Sequence, residues 1–239
     1  EMTELRSLLN SVVLLVADNS SDFVVGYISF ISKEKTINIL ADNSFSIEFL
    51  EKIIKNYEPN YIYVSKNNKY FEKKYQKILN YNSYTLFETD FSNHKKLNFK
   101  NFLLLSTSGT TQSPKFVRLS RKNLEDNTIK IANHLSIKKN HTTITTMPMG
   151  YSYGLSILNT HLLLGAKIVL NKCTILEKSF WSKVIKHKVN SFGGVPEFYE
   201  FLRRINFERH FHTSIKYLTQ AGGKLNEETL KYFGDICKK

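Results

Sequence analysis

Residues Ser106–Lys115 read STSGTTQSPK. The segment gathers hydroxyls on Ser106, Thr107, Ser108, Thr110 and Thr111 around Gly109, and ends on Lys115. Hydroxyls and backbone N–H groups donate to phosphate oxygens, and Gly109 lets the backbone bend and approach closely. Lys115 adds a mobile positive charge. An apolar run, Phe102–Ser106, precedes the loop as an anchoring strand. Such a loop can wrap a polyphosphate, or it can be an ordinary Ser/Thr-rich surface turn, because these residues are common in turns. It is not the P-loop of kinases and GTPases, which needs GxxxxGK[ST] running into a helix. Here Pro114 precedes the lysine, and Phe116–Leu119 reads as extended.

Outward from the loop, short apolar runs alternate with helical periodicity. Upstream, strands are expected at Val12–Ala17, Thr36–Ala41 and Tyr61–Val64, and a helix at Asp22–Ile31. Ile47, Leu50, Ile53 and Ile54 recur at helical spacing. Phe71–Leu79 also reads as helical, and Ser83–Phe87 as extended. Glu88–Asn101 is polar and aperiodic, a connector. Downstream, Ser120 is a good N-cap for a helix over Arg121–Leu135 with Leu124, Ile131 and Leu135 on one face. Thr142–Met147 reads extended, Ser152–Leu164 helical and Ala166–Leu170 extended, with Gly165 suited to a helix C-terminus. Leu176–His187 is a further helix, and Ser191–Gly193 leads through Pro196 into another. Ile215–Leu218 reads as a strand and Ala221–Gly223 as a turn. A last helix is expected over Leu225–Ile236, with Leu230, Phe233 and Ile236 sharing a face. Strands that alternate with helices favour parallel pairing, with helices packed on the sheet faces.

The bulk composition fits this reading. The 239 residues are 41% hydrophobic, enough for one substantial core or two modest ones. Net charge is +13. That favours anionic partners or places solvated lysines on outer helix faces. Cys173 and Cys237 are far apart and form no disulfide framework, which fits a reducing compartment. His210 and His212 lie two apart with no third ligand in view, so no metal site is expected. Val12–Val16 is too short to span a bilayer, and no leader pattern precedes it. A cytoplasmic location is the expectation.

Taken in order, these segments resemble the adenylate-forming superfamily: acyl-CoA synthetases, peptide-synthetase adenylation domains and luciferases. The loop is similar to that family's phosphate-binding signature, (S/T)SG(S/T)TGxPKG, with Gln112 and Phe116 where the family favours glycine. Leu119-Ser120-Arg121-Lys122-Asn123-Leu124 resembles the LSHxNL that follows it. Met147-Pro148-Met149-Gly150-Tyr151-Ser152-Tyr153-Gly154 resembles the next motif, P-(L/M)-x-H-x-x-G, with Tyr151 at the histidine position. Gly193, Val195, Pro196, Phe198 and Tyr199 resemble the wall of the acyl pocket. Gln220–Leu225, QAGGKL, resembles the glycine-rich turn beside adenine and the acyl group.

The resemblance implies an α/β fold: two stacked βα subdomains with largely parallel sheets, the front part of a large N-terminal domain. Residues 1–90 would form the first subdomain and 91–101 a connector. Residues 102–239 would form the second subdomain, with the phosphate loop at 106–115. The implied reaction activates a small carboxylic acid with ATP, releases pyrophosphate, and transfers the acyl group to a thiol or amine, with CoA or a carrier protein as acceptor. Thr107, Ser108, Gly109, Thr110, Thr111 and Lys115 would hold the ATP phosphates, and Gly222, Gly223 and Lys224 would line the nucleotide site. Tyr151, Ser152, Val195, Pro196 and Phe198 would meet the carboxylate substrate, with Lys115 and Tyr151 closest to the chemistry. Tyr151 can also be read as a core aromatic and Lys224 as a solvated lysine. Mg2+ is implied with ATP, its protein ligand expected past Lys239 in a YGxTE motif. A ribose-binding aspartate and a mobile domain with a catalytic lysine are expected there too. The chain therefore reads as an N-terminal piece, inactive alone and prone to self-association through uncovered apolar surface. Two other readings stay open. One is a non-catalytic nucleotide- or partner-binding domain of the same fold. The other is a basic nucleic-acid-binding protein, although no helix-turn-helix, zinc or RNA-recognition motif is present.

Overall fold

The computed structural model describes residues 11–91, 102–106 and 115–236. It divides into two units. One runs to Asn127 and includes Pro148–Ser152, and the other comprises Thr128–Met147 and the chain from Tyr153 onward.

The first unit is built on β1 (Ser11–Ala17), α1 (Ser21–Ile31), β2 (Thr36–Asp42), α2 (Ile47–Tyr57) and β3 (Tyr61–Ser65). Every residue of β1 and β2 is buried, as expected for parallel strands covered on both faces. Val12, Leu14 and Val16 point to one face, where Leu50, Ile53 and Ile54 of α2 pack with them. The opposite face carries Tyr63, whose ring meets Phe30 of α1 edge-on at 5.8 Å. Ser20 and Ser46 cap the two helices, each accepting from a backbone amide three residues on, at 3.2 Å.

The chain then departs from its sequence pattern. Only Lys69–Glu72 forms a helical turn, α3, and Gln76–Tyr81 is a strand, β4, paired antiparallel with β5 (Tyr84–Glu88). The expected helix over Phe71–Leu79 is therefore incorrect. Phe71, Tyr75 and Leu79 recur at helical spacing, but Asn82 adopts a left-handed φ of 46° and turns the chain after Tyr81. Asp22 fixes that turn by accepting from the Ser83 amide at 3.0 Å and the Asn82 side chain at 3.2 Å.

Two more strands complete this sheet, β6 (Leu103–Ser106) and β7 (Phe116–Leu119), giving the order β4-β5-β3-β1-β2-β6-β7. β6 runs parallel to β2 and antiparallel to β7. The boundary expected at residue 102 thus falls inside the first sheet, because the hydrogen bonds of β6 go to β2. The change of unit lies instead within α4 (Arg121–His134). Ser120 caps α4, accepting from Asn123 N–H at 3.1 Å. Thr128 and Ala132 are its buried residues, while Leu124, Ile131 and Leu135 are half-buried.

The second unit contains β8 (Thr142–Ile144), α5 (Ser152–Leu163, from Tyr153), β9 (Lys167–Val169), α6 (Lys178–Lys186), β10 (Ser191–Gly194), α7 (Pro196–Arg204), a 3₁₀ turn at Phe207–His210, β11 (Tyr217–Gln220) and α8 (Glu227–Ile236). The sheet order is β11-β10-β8-β9, and every pairing is parallel. Phe180, Trp181, Val184, Phe192, Leu202 and Phe207 fill its core. The last strand lies two residues later than Ile215–Leu218. On α8, Thr229, Phe233 and Ile236 face inward while Leu230 is 60% exposed, contrary to the expected face. Spacings of four and three residues put 229, 233 and 236 on one stripe, and Leu230 is turned away from it. No helix among the described residues is long and apolar enough to cross a membrane.

Candidate functional site

In an open sheet with parallel strands, ligands bind outside the carboxyl ends, where neighbouring strands send their connections in opposite directions. Each unit has such an edge, and the sequence-predicted site residues divide between the two.

In the first unit the carboxyl ends of β1, β2 and β6 are in register, with Ala17 opposite Asp42 and Leu40 opposite Leu105. Ser106 ends β6 and pairs with Phe116 of the antiparallel β7, so the next described element after β6 is a strand and not the helix that a P-loop runs into. The Ser106 hydroxyl is buried and has no hydrogen-bond partner among the described residues. Thr107, Ser108, Gly109, Thr110, Thr111 and Gln112 lie outside the described residues. Lys115 is exposed at the start of β7. Pro148–Ser152 belongs to this same edge. The Met149 amide donates to Asn19 Oδ1 at 3.2 Å. Gly150 sits against Asp42, and a Cβ at position 150 would lie 2.7 Å from the Asp42 Cα, so only glycine fits. Tyr151 meets the Phe45 ring edge-on at 6.1 Å and is half-buried. Ser152 is exposed.

The second unit shows the switch point itself. β8 leads through α5 to β9 on one side, while β10 leads through α7 to β11 on the other. At the carboxyl end of β10 the sequence supplies Gly193 and Gly194, then Val195, with Pro196 at the first position of α7, where its fixed φ suits the helix start. The turn after β11 closes onto this segment. Gly222 has φ 92° and Gly223 follows it. A Cβ on Gly222 would lie 3.2 Å from Val195 Cγ1, and one on Gly223 would lie 3.1 Å from Pro196 Cγ. Two motifs 27 positions apart in sequence are thus brought into contact. The Gln220 side chain ties the turn, donating to the carbonyls of Ala221 at 3.0 Å and Gly223 at 2.8 Å. The Phe198 ring covers Gly194. Lys224 is exposed just past the turn.

Tyr153 and Thr146, to which the sequence gave no role, converge on this edge together with Tyr199 of the expected pocket wall. Tyr153 of α5 donates to Thr219 Oγ1 at 2.8 Å. Burial pushes the Tyr153 phenol above its usual range. The Thr146 hydroxyl donates to the Gly193 carbonyl. Tyr199 donates to the Thr219 carbonyl at 2.6 Å. The position of Tyr153 beside Tyr151 was a signal, but its partner Thr219 is fixed only by strand register. Among the described residues no three His, Cys, Asp or Glu side chains converge as a metal site.

Comparison with known proteins agrees with this architecture. Over 96 residues, 39% of the chain, the sequence is 33% identical to the oxalate–CoA ligase of Saccharomyces cerevisiae, and covers 17% of that protein. The inhibitor-bound N-terminal domain of FACL13 from Mycobacterium tuberculosis matches 98% of the chain with TM-score 0.77 at 14% identity, and the chain covers 62% of it. The O-succinylbenzoate coenzyme A synthetase of Bacillus subtilis, in complex with AMP, matches 98% of the chain with TM-score 0.74 at 17% identity, and 61% of it is covered. A red-emitting luciferase from Phrixothrix hirtus matches 99% of the chain with TM-score 0.78 at 17% identity, and 51% of it is covered. The chain therefore spans less than two thirds of the length of each of these relatives. The profile of the AMP-binding enzyme family covers residues 9–239, and the chain belongs to that family.

Proposed function

We propose that this chain supplies the nucleotide- and acid-binding part of an ATP-dependent carboxylate ligase. A carboxylate oxygen attacks the α-phosphorus of ATP, the α–β bridging bond breaks, and an acyl-adenylate and pyrophosphate form. A thiol or amine then displaces AMP, with CoA or a carrier protein as the natural thiol source. The observation that carries this reading is the meeting of Val195–Pro196 with Gly222–Gly223 at the carboxyl edge of β10 and β11. Gly222 and Gly223 are exposed there and carry no side chain, so a planar base could lie against their backbone.

The residues present fit the nucleotide. In the first unit the buried Ser106 hydroxyl has no partner among the described residues and is available to a phosphate oxygen. It leads directly into Thr107, Ser108, Gly109, Thr110 and Thr111, the proposed phosphate donors, with Lys115 as their cation. Tyr151 is the proposed neighbour of the reacting carboxylate, with Ser152 beside it in the chain. Val195, Pro196 and Phe198 would wall the acid, and Lys224 would border the nucleotide. The chain's own contribution is positioning and charge stabilisation, with no protein nucleophile required. Magnesium, when bound with the nucleotide, would neutralise charge on the phosphate oxygens.

The test is acid-dependent ATP–pyrophosphate exchange by the full-length protein, across a panel of carboxylic acids. Exchange with at least one acid is expected, and Lys115→Ala should lower kcat/KM on the order of 10²-fold. A folded protein that supports no exchange with any acid would end this reading. The 239-residue chain alone is expected to give none.

A further inference from the structure

We propose that Tyr153 and Thr219 form the floor of the acid pocket and restrict it to short acids that carry a neutral hydrogen-bonding group. This rests on the ligase reading above and names its substrate class.

The restriction follows from how β10 and β11 face α5. Gly193 and Thr219 are register partners, so they present the same face of the sheet. A Cβ on Gly193 would lie 2.5 Å from the Tyr153 hydroxyl and 2.9 Å from Thr219 Oγ1. The space that a side chain at position 193 would take is therefore filled by the phenol. Tyr153 is held there by its hydrogen bond to Thr219, at 2.8 Å. Thr146 fixes the backbone beneath through the Gly193 carbonyl. On the opposite face, the Phe198 ring covers Gly194. A ligand entering over this carboxyl edge on the α5 side meets the Tyr153 ring after a short distance. A long alkyl chain would have to displace that ring and break its hydrogen bond.

The chemistry of the floor sets the second half of the restriction. Tyr153 spends its proton on Thr219, and Thr219 keeps its own hydroxyl proton to donate. Both groups are neutral, so the complementary ligand group is a hydroxyl or carbonyl rather than a second charge. An acid that offers only methyl groups there covers the Thr219 hydroxyl proton without accepting it, which is costly once the bound acid displaces water from it.

The experiment compares lactate and 3-hydroxypropionate with propionate and octanoate as acids for pyrophosphate exchange by the full-length protein. The hydroxy acids should exceed propionate in kcat/KM by on the order of 10²-fold or more, with octanoate inactive. Tyr153→Ala should raise the octanoate-to-lactate ratio at least about tenfold. Thr219→Val should collapse the hydroxy-acid preference without admitting octanoate. Should Tyr153→Ala fail to fold, Tyr153→Phe keeps the ring, and it should keep the length limit while weakening the hydroxy preference. Wild-type preference for octanoate or propionate, or an unchanged length profile in Tyr153→Ala, would overturn the inference. If no acid supports exchange, the ligase reading falls separately, and thermal melting decides the pocket. Stabilisation by lactate and not by octanoate would retain it, and stabilisation by octanoate or by neither would end it.

Discussion

The two sheets use the same parallel-strand logic to opposite ends. In the first, β1 and β2 are seven-residue strands buried at every position, and their side chains are spent on packing. In the second, the strands are three or four residues long and carry Thr142, Thr143, Ser191, Thr219, Gly193 and Gly194. Long apolar strands stabilise by removing area from water, roughly 25 cal/mol per Å². Short strands with small and hydroxylated residues give up part of that gain. In return, backbone and hydroxyl groups come close together at the carboxyl edge. The difference teaches where stability and chemistry reside: the first sheet's interior is core, and the second sheet's rim is a surface of donors around a glycine.

Substitutions can test that division. The largest effect is expected in the first sheet. Leu14 is fully buried between two parallel neighbours, and Leu14→Ala should cost about 2–5 kcal/mol in urea unfolding. It should leave the order of preference among acids unchanged, and a reordering would break the contrast. Next comes Gly193→Ala. The added methyl must displace the Tyr153 hydroxyl, which should cost about 1–3 kcal/mol. Here acid preference should change together with stability. The single tryptophan, Trp181, lies in the second unit's core and reports the loss by fluorescence. Ser46→Ala removes the α2 cap and should cost about 1 kcal/mol by thermal melting, with no effect on acids. The smallest effect has the opposite sign. Gly234 lies exposed within α8 with open space around it, so Gly234→Ala should stabilise by about 0.4–1 kcal/mol.

Much of the fold was legible because burial and periodicity agree along most of the chain. SVVLLVA and TINILAD are apolar enough to be strands buried on both faces, and Ser20, Ser46 and Ser120 each stand immediately before a helix. Phe71–Leu79 misled because Phe71, Tyr75 and Leu79 fit helical spacing equally well. The deciding feature was the left-handed Asn82 and its distant anchor Asp22, a contact across 60 positions. Leu230 misled because a stripe read from apolar residues alone missed Thr229, which is fully buried.

The candidate site was legible as motifs and not as geometry. Val195, Pro196, Gly222 and Gly223 could each be picked from the sequence, but only the closing of the turn after β11 set them in van der Waals contact. Asn19, Asp42 and Phe45 carry no local signal, yet they hold Met149, Gly150 and Tyr151 at the first sheet's edge.

By itself, the sequence determined the element types outside Phe71–Leu79, the alternation that favours parallel sheets, and the STSGTTQSPK segment with its hydroxyls and lysine. These are local properties, set by side-chain period, capping and composition. Only the tertiary structure decided that β6 and β7 extend the first sheet, that the second sheet switches direction between β8 and β10, and that Tyr153 rests on Thr219 over Gly193. Register and strand order are fixed by contacts between residues far apart in the chain. A one-residue slip of β11 would turn Thr219 to the other face of the sheet.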